Sequence, residues 1–268
     1  MTHEAAPDVA RLRARLERRF ALRDLAIELP GTLAPLVVTL PADPDAPLDA
    51  MAARQASGAA HGQADPAREG DNADAAAVAR ATVEAGAHLP YWALLWPSGL
   101  ALAEALLAEP EVARARRTLE LGCGLGVTAA VTLSLGARLT VSDLFADALL
   151  FAEYNTLRCA GRSPASLLLN WRTPAGCARL LGSGPYDLLL AADVLYEPED
   201  IEPLLRLAPA LLRPGAPFWL AEPGRRASRA FVDAARERGW RDTLTVTEKA
   251  WPPDDDVTRV AVHRFTLP

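Results

Sequence analysis

The chain has 268 residues, 50% hydrophobic and 23% charged, with a formal net charge of -6. Enough apolar material is present for one large α/β domain, or one domain with appendages, no apolar run approaches a membrane span, and the acidic balance speaks against a large nucleic-acid footprint. Cys123, Cys159 and Cys177 are an odd count without metal-ligand spacing, and Met1-Thr2-His3-Glu4 lacks the charged and apolar regions of a signal peptide. The expectation is therefore a cytoplasmic protein with no membrane partner and no metal.

From Asp8 to Phe20, Val9, Leu12, Leu16 and Phe20 fall on one face among arginines, which predicts an amphipathic helix with a solvated basic side. Asp24–Leu29 and Pro35–Leu40, separated by Pro30-Gly31-Thr32, predict a β-hairpin. Residues 1–41 thus read as a small helix and hairpin extension. Residues 42–88 turn to Ala, Asp, Pro, Gly and Gln, a composition that cannot bury enough surface to offset its ordering entropy. They read as a loop or disordered insert, with at most a weak helix from Asp74 to Glu84. Residues 89–268 carry the main domain.

That domain opens on Leu89-Pro90-Tyr91-Trp92-Ala93-Leu94-Leu95-Trp96-Pro97-Ser98-Gly99, where Ser98 is placed to cap a helix through Leu107. Trp92 reads equally as an aromatic plug beneath the sheet. The central stretch is Thr118-Leu119-Glu120-Leu121-Gly122-Cys123-Gly124-Leu125-Gly126-Val127: strand, glycine turn, then an apolar helix. Glycine serves where the backbone takes positive φ or where a ligand approaches the main chain, so this unit reads as a nucleotide-type site at the carboxyl end of a parallel strand. A dinucleotide fold needs its third glycine where Val127 stands, and Glu120 suits a cationic ligand better than a pyrophosphate. A glycine-rich turn with no ligand is the plain alternative.

Further on, Arg138–Ser142 predicts a second strand ending at Asp143, about twenty residues past the first glycine, where an acid can accept ribose hydroxyls or cap the helix Ala146–Cys159. Ser166–Asn170 predicts a third strand, followed by Trp171. Tyr186–Ala192 is a nearly continuous apolar run, a fully buried parallel strand delivering Asp193 and Tyr196 to the sheet edge. Asp193 reads alternatively as a cap for a helix over Pro198–Leu212. Phe218–Ala221, the helix Ala227–Arg238, and the strands Thr243–Glu248 and Thr258–Thr266 around Asp254-Asp255-Asp256 close the domain.

Glu120-x-Gly122-x-Gly124-x-Gly126 resembles motif I of the class I S-adenosylmethionine-dependent methyltransferases. The string from Pro90 to Gly99 resembles the tryptophan-proline segment of the seven-strand protein-lysine methyltransferases, closest to the group acting on the electron-transfer flavoprotein beta subunit. Asp193-x-x-Tyr196 resembles that group's acid-x-x-aromatic motif, and Glu222-Pro223-Gly224-Arg225 its acid-Pro-Gly-Arg turn, which would line the same opening. The resemblance covers about Leu89 to Thr266. It implies an α/β, doubly wound, mostly parallel seven-stranded sheet with S-adenosyl-L-methionine as cofactor. By its implication the cofactor lies against Trp96, Glu120, Gly122, Cys123, Gly124, Gly126, Asp143, Leu144, Asn170, Trp171 and Ala192, with Trp171 and the neighbouring amide near the adenine. The resemblance implies Asp193 and Tyr196 as the catalytic pair. The acid usual after the third strand of class I enzymes is absent here. A lysine side chain on a protein is the first acceptor implied and a small-molecule amine the second. A non-catalytic cofactor-binding module and, more distantly, an NAD-dependent oxidoreductase stand as alternatives.

Overall fold

The computed structural model describes residues 5–47, 89–252 and 257–268. The predicted helix Asp74 to Glu84 and the turn Asp254-Asp255-Asp256 lie outside them, as does most of the 42–88 stretch. Helix α1 (Ala5–Glu17) buries Leu12 and Leu16 but stops before Phe20, and the hairpin β1 (Leu22–Ile27) and β2 (Leu36–Pro41) follows. After a 3-10 turn (Tyr91–Ala93) come α2 (Pro97–Ala108), β3 (Arg117–Leu121), α3 (Val127–Ser134), β4 (Arg138–Asp143), α4 (Ala146–Ala160), β5 (Ala165–Leu168), α5 (Pro174–Ser183), β6 (Leu188–Ala192), α6 (Ile201–Leu211), β7 (Pro217–Glu222), α7 (Arg226–Glu237), β8 (Arg241–Ala250) and β9 (Val257–Thr266).

The seven-stranded sheet runs β5-β4-β3-β6-β7-β9-β8, parallel from β5 to β7, with β9 antiparallel to both β7 and β8. Its connections leave in opposite directions from the β3/β6 pair, which opens a crevice at the carboxyl ends of those two strands. The strand period of two explains the two cores. Leu188 and Leu190 of β6 join the cluster with α2, α3 and Phe151 of α4, whereas Leu189 and Ala191 join Leu204 of α6 and Phe231 of α7. Burying a side chain such as Phe151 or Phe231 is worth about 1.5–3 kcal/mol.

The N-terminal helix and hairpin share the first of these cores. Trp92 is an aromatic plug, though against Phe20 and Phe151 at 5.9 and 5.4 Å between ring centroids. Asn155 of α4, fully buried, accepts the Thr39 N–H at 2.8 Å and donates to the carbonyls of Thr39 (2.9 Å) and Leu125 (2.8 Å). One amide thus ties the hairpin to the glycine turn.

Several boundaries differ from expectation for local reasons. Ser98 does not cap α2: the cap position is Trp96, Pro97 takes the first helical position where its missing N–H costs nothing, and the Ser98 hydroxyl is buried without a hydrogen-bond partner. Strand β5 stops two residues short of Asn170, because the Asn170 carbonyl takes the Thr173 N–H and its side-chain oxygen takes the Arg172 N–H. The apolar run at Tyr186 enters the sheet only at Leu188, Tyr186 making a single bridge to Leu212. Pro198–Asp200 forms a 3-10 turn whose capping box uses Glu197 and Asp200, so Asp193 has no part in starting α6.

Candidate active site

The glycine turn leaves β3 with Gly122, Gly124 and Gly126 all at positive φ (66, 49 and 80°). They are not equivalent. Gly122 and Gly124 line the crevice, where a side chain at Gly122 would also strike Val194 at 2.8 Å. Gly126 faces away: a Cβ there would lie 2.7 Å from the Ala152 Cα, so this glycine lets the turn pack against α4. Gly126 is not among the residues that line the cleft, although the sequence set it against the ligand with the other two.

Asp143, at the end of β4, pins the turn from across the strand pair. One carboxylate oxygen accepts the Gly124 N–H at 3.0 Å and the other the Phe145 N–H at 3.0 Å. Burial pushes its carboxyl up to about 6 in spite of those bonds. Glu120 is buried too; burial, and then the nearby Asp143 charge, hold its carboxyl well above the ordinary carboxylate range. Its Oε2 is buried with no hydrogen-bond partner, an atom a ligand donor would satisfy. Burial and the same two acids push the Cys123 thiol up, which leaves it a small lining residue and not a nucleophile.

Trp96, Gly122, Gly124, Asp143, Leu144, Trp171, Ala192, Asp193 and Tyr196 line one open cleft. A second lobe, formed by Glu120, Cys123, Leu125 and Thr128, shares Trp96, Gly122, Gly124 and Ala192 with it. Asn170 lines neither lobe, since its side chain is turned back to the Arg172 N–H; of the expected pair only Trp171 reaches the cleft. Leu89, Tyr91, Phe145 and Val194 line it without having been expected. Tyr91 had a signal in its place between Leu89 and Trp96; the others had none.

At the far rim, Asp193 takes φ 54°, an uncommon conformation for a residue with a side chain. Its backbone N–H bonds the Ala221 carbonyl at 2.9 Å, and both its carboxylate oxygens accept from Arg225, at 2.7 and 3.0 Å. The Arg225 guanidinium also lies 5.3 Å from the centre of the Trp96 ring. Tyr91 meets Trp96 at 6.0 Å and Tyr196 at 5.7 Å, both edge to face, and Arg172 sits 5.9 Å from the Tyr196 ring. Burial, with Asp200 adding to it, pushes the Tyr196 hydroxyl up to about 12, so it is a hydrogen-bonding phenol at neutral pH. Glu222 accepts from the Gly224 N–H and the Ser228 hydroxyl, and so holds the turn that carries Arg225. Among the described residues no cluster of His, Cys, Asp or Glu could hold a metal, and no helix is long and apolar enough to cross a membrane.

Such a cleft offers an orphaned acid oxygen at one end, a carboxylate with free lone pairs and an indole face at the other, and an acid ringed by aromatics at the rim. Comparison with known proteins fits this layout. The electron transfer flavoprotein beta subunit lysine methyltransferase of Danio rerio is 36% identical over 113 residues, covering 40% of each chain. The protein N-terminal and lysine N-methyltransferase efm7 of Schizosaccharomyces pombe is 24% identical over 202 residues, 68% of this chain and 79% of that one. The chain spans about half the length or less of the flavoprotein-directed relatives it matches, 40% for Danio rerio and 53% for Xenopus laevis. In fold it is similar to the 1,6-didemethyltoxoflavin-N1-methyltransferase of Burkholderia thailandensis, with TM-score 0.50 and 16% identity over 76% of this chain and 94% of that one. The family model described as lysine methyltransferase matches residues 90–237, more than half of the sequence, and the chain belongs to that family.

Proposed function

We propose that the protein is an S-adenosylmethionine-dependent methyltransferase that N-methylates a lysine side chain of a protein acceptor. The observation that carries this is the meeting, in one cleft, of the Glu120 and Asp143 acids with the Asp193 and Tyr196 rim. Glu120 and the turn at Gly122–Gly124 would receive the amino-acid part of the cofactor, Asp143 its ribose hydroxyls, and Leu144, Phe145 and Trp171 its base. When bound, S-adenosylmethionine supplies a methyl group already activated by a sulfonium. What remains for the chain is to present a nitrogen lone pair at the right distance and angle. Asp193 accepts a hydrogen bond from the incoming amine and orients it, while Tyr91, Trp96 and Tyr196 form an aromatic collar that admits an alkyl stem and sheds water.

Membership of the lysine methyltransferase family and the names of its relatives support a protein acceptor. The free thiols Cys123, Cys159 and Cys177 and the net charge of -6 support a cytoplasmic protein without a nucleic-acid or membrane partner. Incubation with methyl-labelled S-adenosylmethionine and a cell lysate, resolved by size and then hydrolysed, tests the proposal. Label in a protein band that yields methyllysine is the expected result. Label confined to small molecules would move the acceptor to a free amine, and failure to bind S-adenosylhomocysteine would remove the methyltransferase reading altogether.

A further inference from the structure

We propose that Arg225 is a positioning residue for the acceptor: by forking the Asp193 carboxylate it fixes that side chain and cancels its charge, so that the acceptor nitrogen is held as a neutral amine and not as an ammonium. This rests on the lysine methyltransferase reading. An isolated carboxylate at the rim would raise the pKa of a lysine beside it and retain the protonated form, which has no lone pair to donate. In the structure the carboxylate is not isolated. Arg225 Nε and Nη2 bond its two oxygens at 2.7 and 3.0 Å, a bidentate pair whose carboxylate is only 6% exposed. A carboxylate has about four acceptor positions, so two remain for the N–H groups of an amine.

Three features hold Arg225 to this task. The Trp96 face lies 5.3 Å beneath the guanidinium. Glu222 locks the preceding turn through the Gly224 N–H and the Ser228 hydroxyl. The Ser228 oxygen also lies 2.8 Å from the Arg225 carbonyl, a second acceptor for its single proton, at the first turn of α7. The other charged and titratable groups around the rim are Tyr91 before α2, Glu120 and Asp143 at the glycine turn, Arg172 after β5, Tyr196, Glu197 and Asp200 after β6, and Glu222 on β7. Arg172 is paired with Asp200, and Glu222 faces His263 at 3.6 Å. Glu120 and Asp143 lie on the cofactor side of the cleft. Arg225 is the cation that forks Asp193, and its removal leaves a bare acid at the acceptor's seat.

The test uses the full chain saturated with S-adenosylhomocysteine and n-butylamine as the probe for a lysine side chain. By calorimetry at pH 7.5, Arg225→Gln should bind n-butylammonium about tenfold tighter than wild type, with the apparent pKa of the bound amine raised by about one to two pH units. Arg225→Lys, which keeps the charge, should stay near wild type, and Arg225→Gln combined with Asp193→Asn should lose the gain. Should Gln disturb the turn, Arg225→Met carries the same expectation. Equal n-butylammonium affinity in wild type and a folded Arg225→Gln, or a gain that survives Asp193→Asn, would overturn the proposal. Failure of the wild type to bind S-adenosylhomocysteine would instead sink the methyltransferase reading, and n-butylammonium titration without it would still read the Asp193–Arg225 pair.

Discussion

Asp143→Asn probes the glycine turn and the ligand pocket together. In the wild type, burial carries this carboxyl from 3.8 up to about 6 against the backbone N–H bonds that favour its charge. At about 1.36 kcal/mol per pKa unit, ionisation in the folded state is disfavoured by on the order of 3 kcal/mol. The folded chain therefore binds more protons than the unfolded one between those two values. The stability this carboxyl contributes is fully present below pH 3.8 and is lost as pH rises through about 6. An amide has no such loss, but its one oxygen can meet only one of the two N–H groups, from Gly124 and Phe145, that the carboxyl's two oxygens face, the hydroxyl oxygen of the protonated acid still offering a lone pair where the amide has an NH2. The other N–H then faces that NH2 group, which costs about 1–3 kcal/mol. Asp143→Asn should accordingly be less stable than wild type by about 1–3 kcal/mol near pH 4, and at pH 7.5, where the wild type has lost about 3 kcal/mol, it should be level with it or more stable by up to about 2 kcal/mol. Urea unfolding of both proteins at the two pH values measures this, and a constant gap would refute the burial reasoning. Calorimetry with S-adenosylhomocysteine supplies the second readout. Wild-type affinity should rise as pH passes about 6 and Asp143 ionises, and at pH 7.5 the variant should bind about 10–100-fold more weakly. Affinity indifferent to both changes would take Asp143 out of the ligand site.

Three other substitutions separate packing from chemistry. Gly126→Ala places a Cβ 2.7 Å from Ala152 at φ 80°, so thermal unfolding should show a loss of about 2–4 kcal/mol, while the folded fraction keeps its S-adenosylhomocysteine affinity; an unchanged midpoint would contradict the packing role. Asp193→Asn should lower turnover of the true acceptor by on the order of a hundredfold and leave cofactor affinity within a few-fold, and full activity would return Asp193 to a structural part. His263→Gln concerns a buried network in which burial opposes the charged ring, yet bonds to Asp242 at 2.9 Å and to Glu222 raise its pKa above 6.5. That stabilisation is complete below pH 6.5 and is lost as pH climbs through the raised folded value. The variant should cost about 3 kcal/mol at pH 6 and less at pH 9, and a cost independent of pH would show that the ring acts by packing alone.

The legible parts of the site were those whose chemistry is local. Glu120, Gly122, Gly124 and Asp143 sit at strand ends, where alternation and glycine spacing reveal both the strand and the turn, and all four reach the cleft. Gly126 belongs to the same repeat but is required by Ala152, a residue far along the chain whose proximity no spacing encodes. Asn170 is misleading for the opposite reason: a small amide beside Trp171 suits a base, but the same amide closes a turn on its own neighbour at lower cost.

The sequence by itself determined the order of the strands and of the helices around them except α5 (Pro174–Ser183), which it did not predict, together with the class of the central turn and the positions of the acids, because apolar period, glycine placement and strand-end polarity are properties of short windows. Only the tertiary structure decided what those acids are bonded to. It paired Asp193 with Arg225 across 32 positions and set Asp143 on the Gly124 N–H, 19 positions back. It also placed Asn155 of α4 against both the hairpin and the glycine turn. Each of these is a contact between segments brought together by burial of the two sheet faces, and burial is indifferent to distance along the chain.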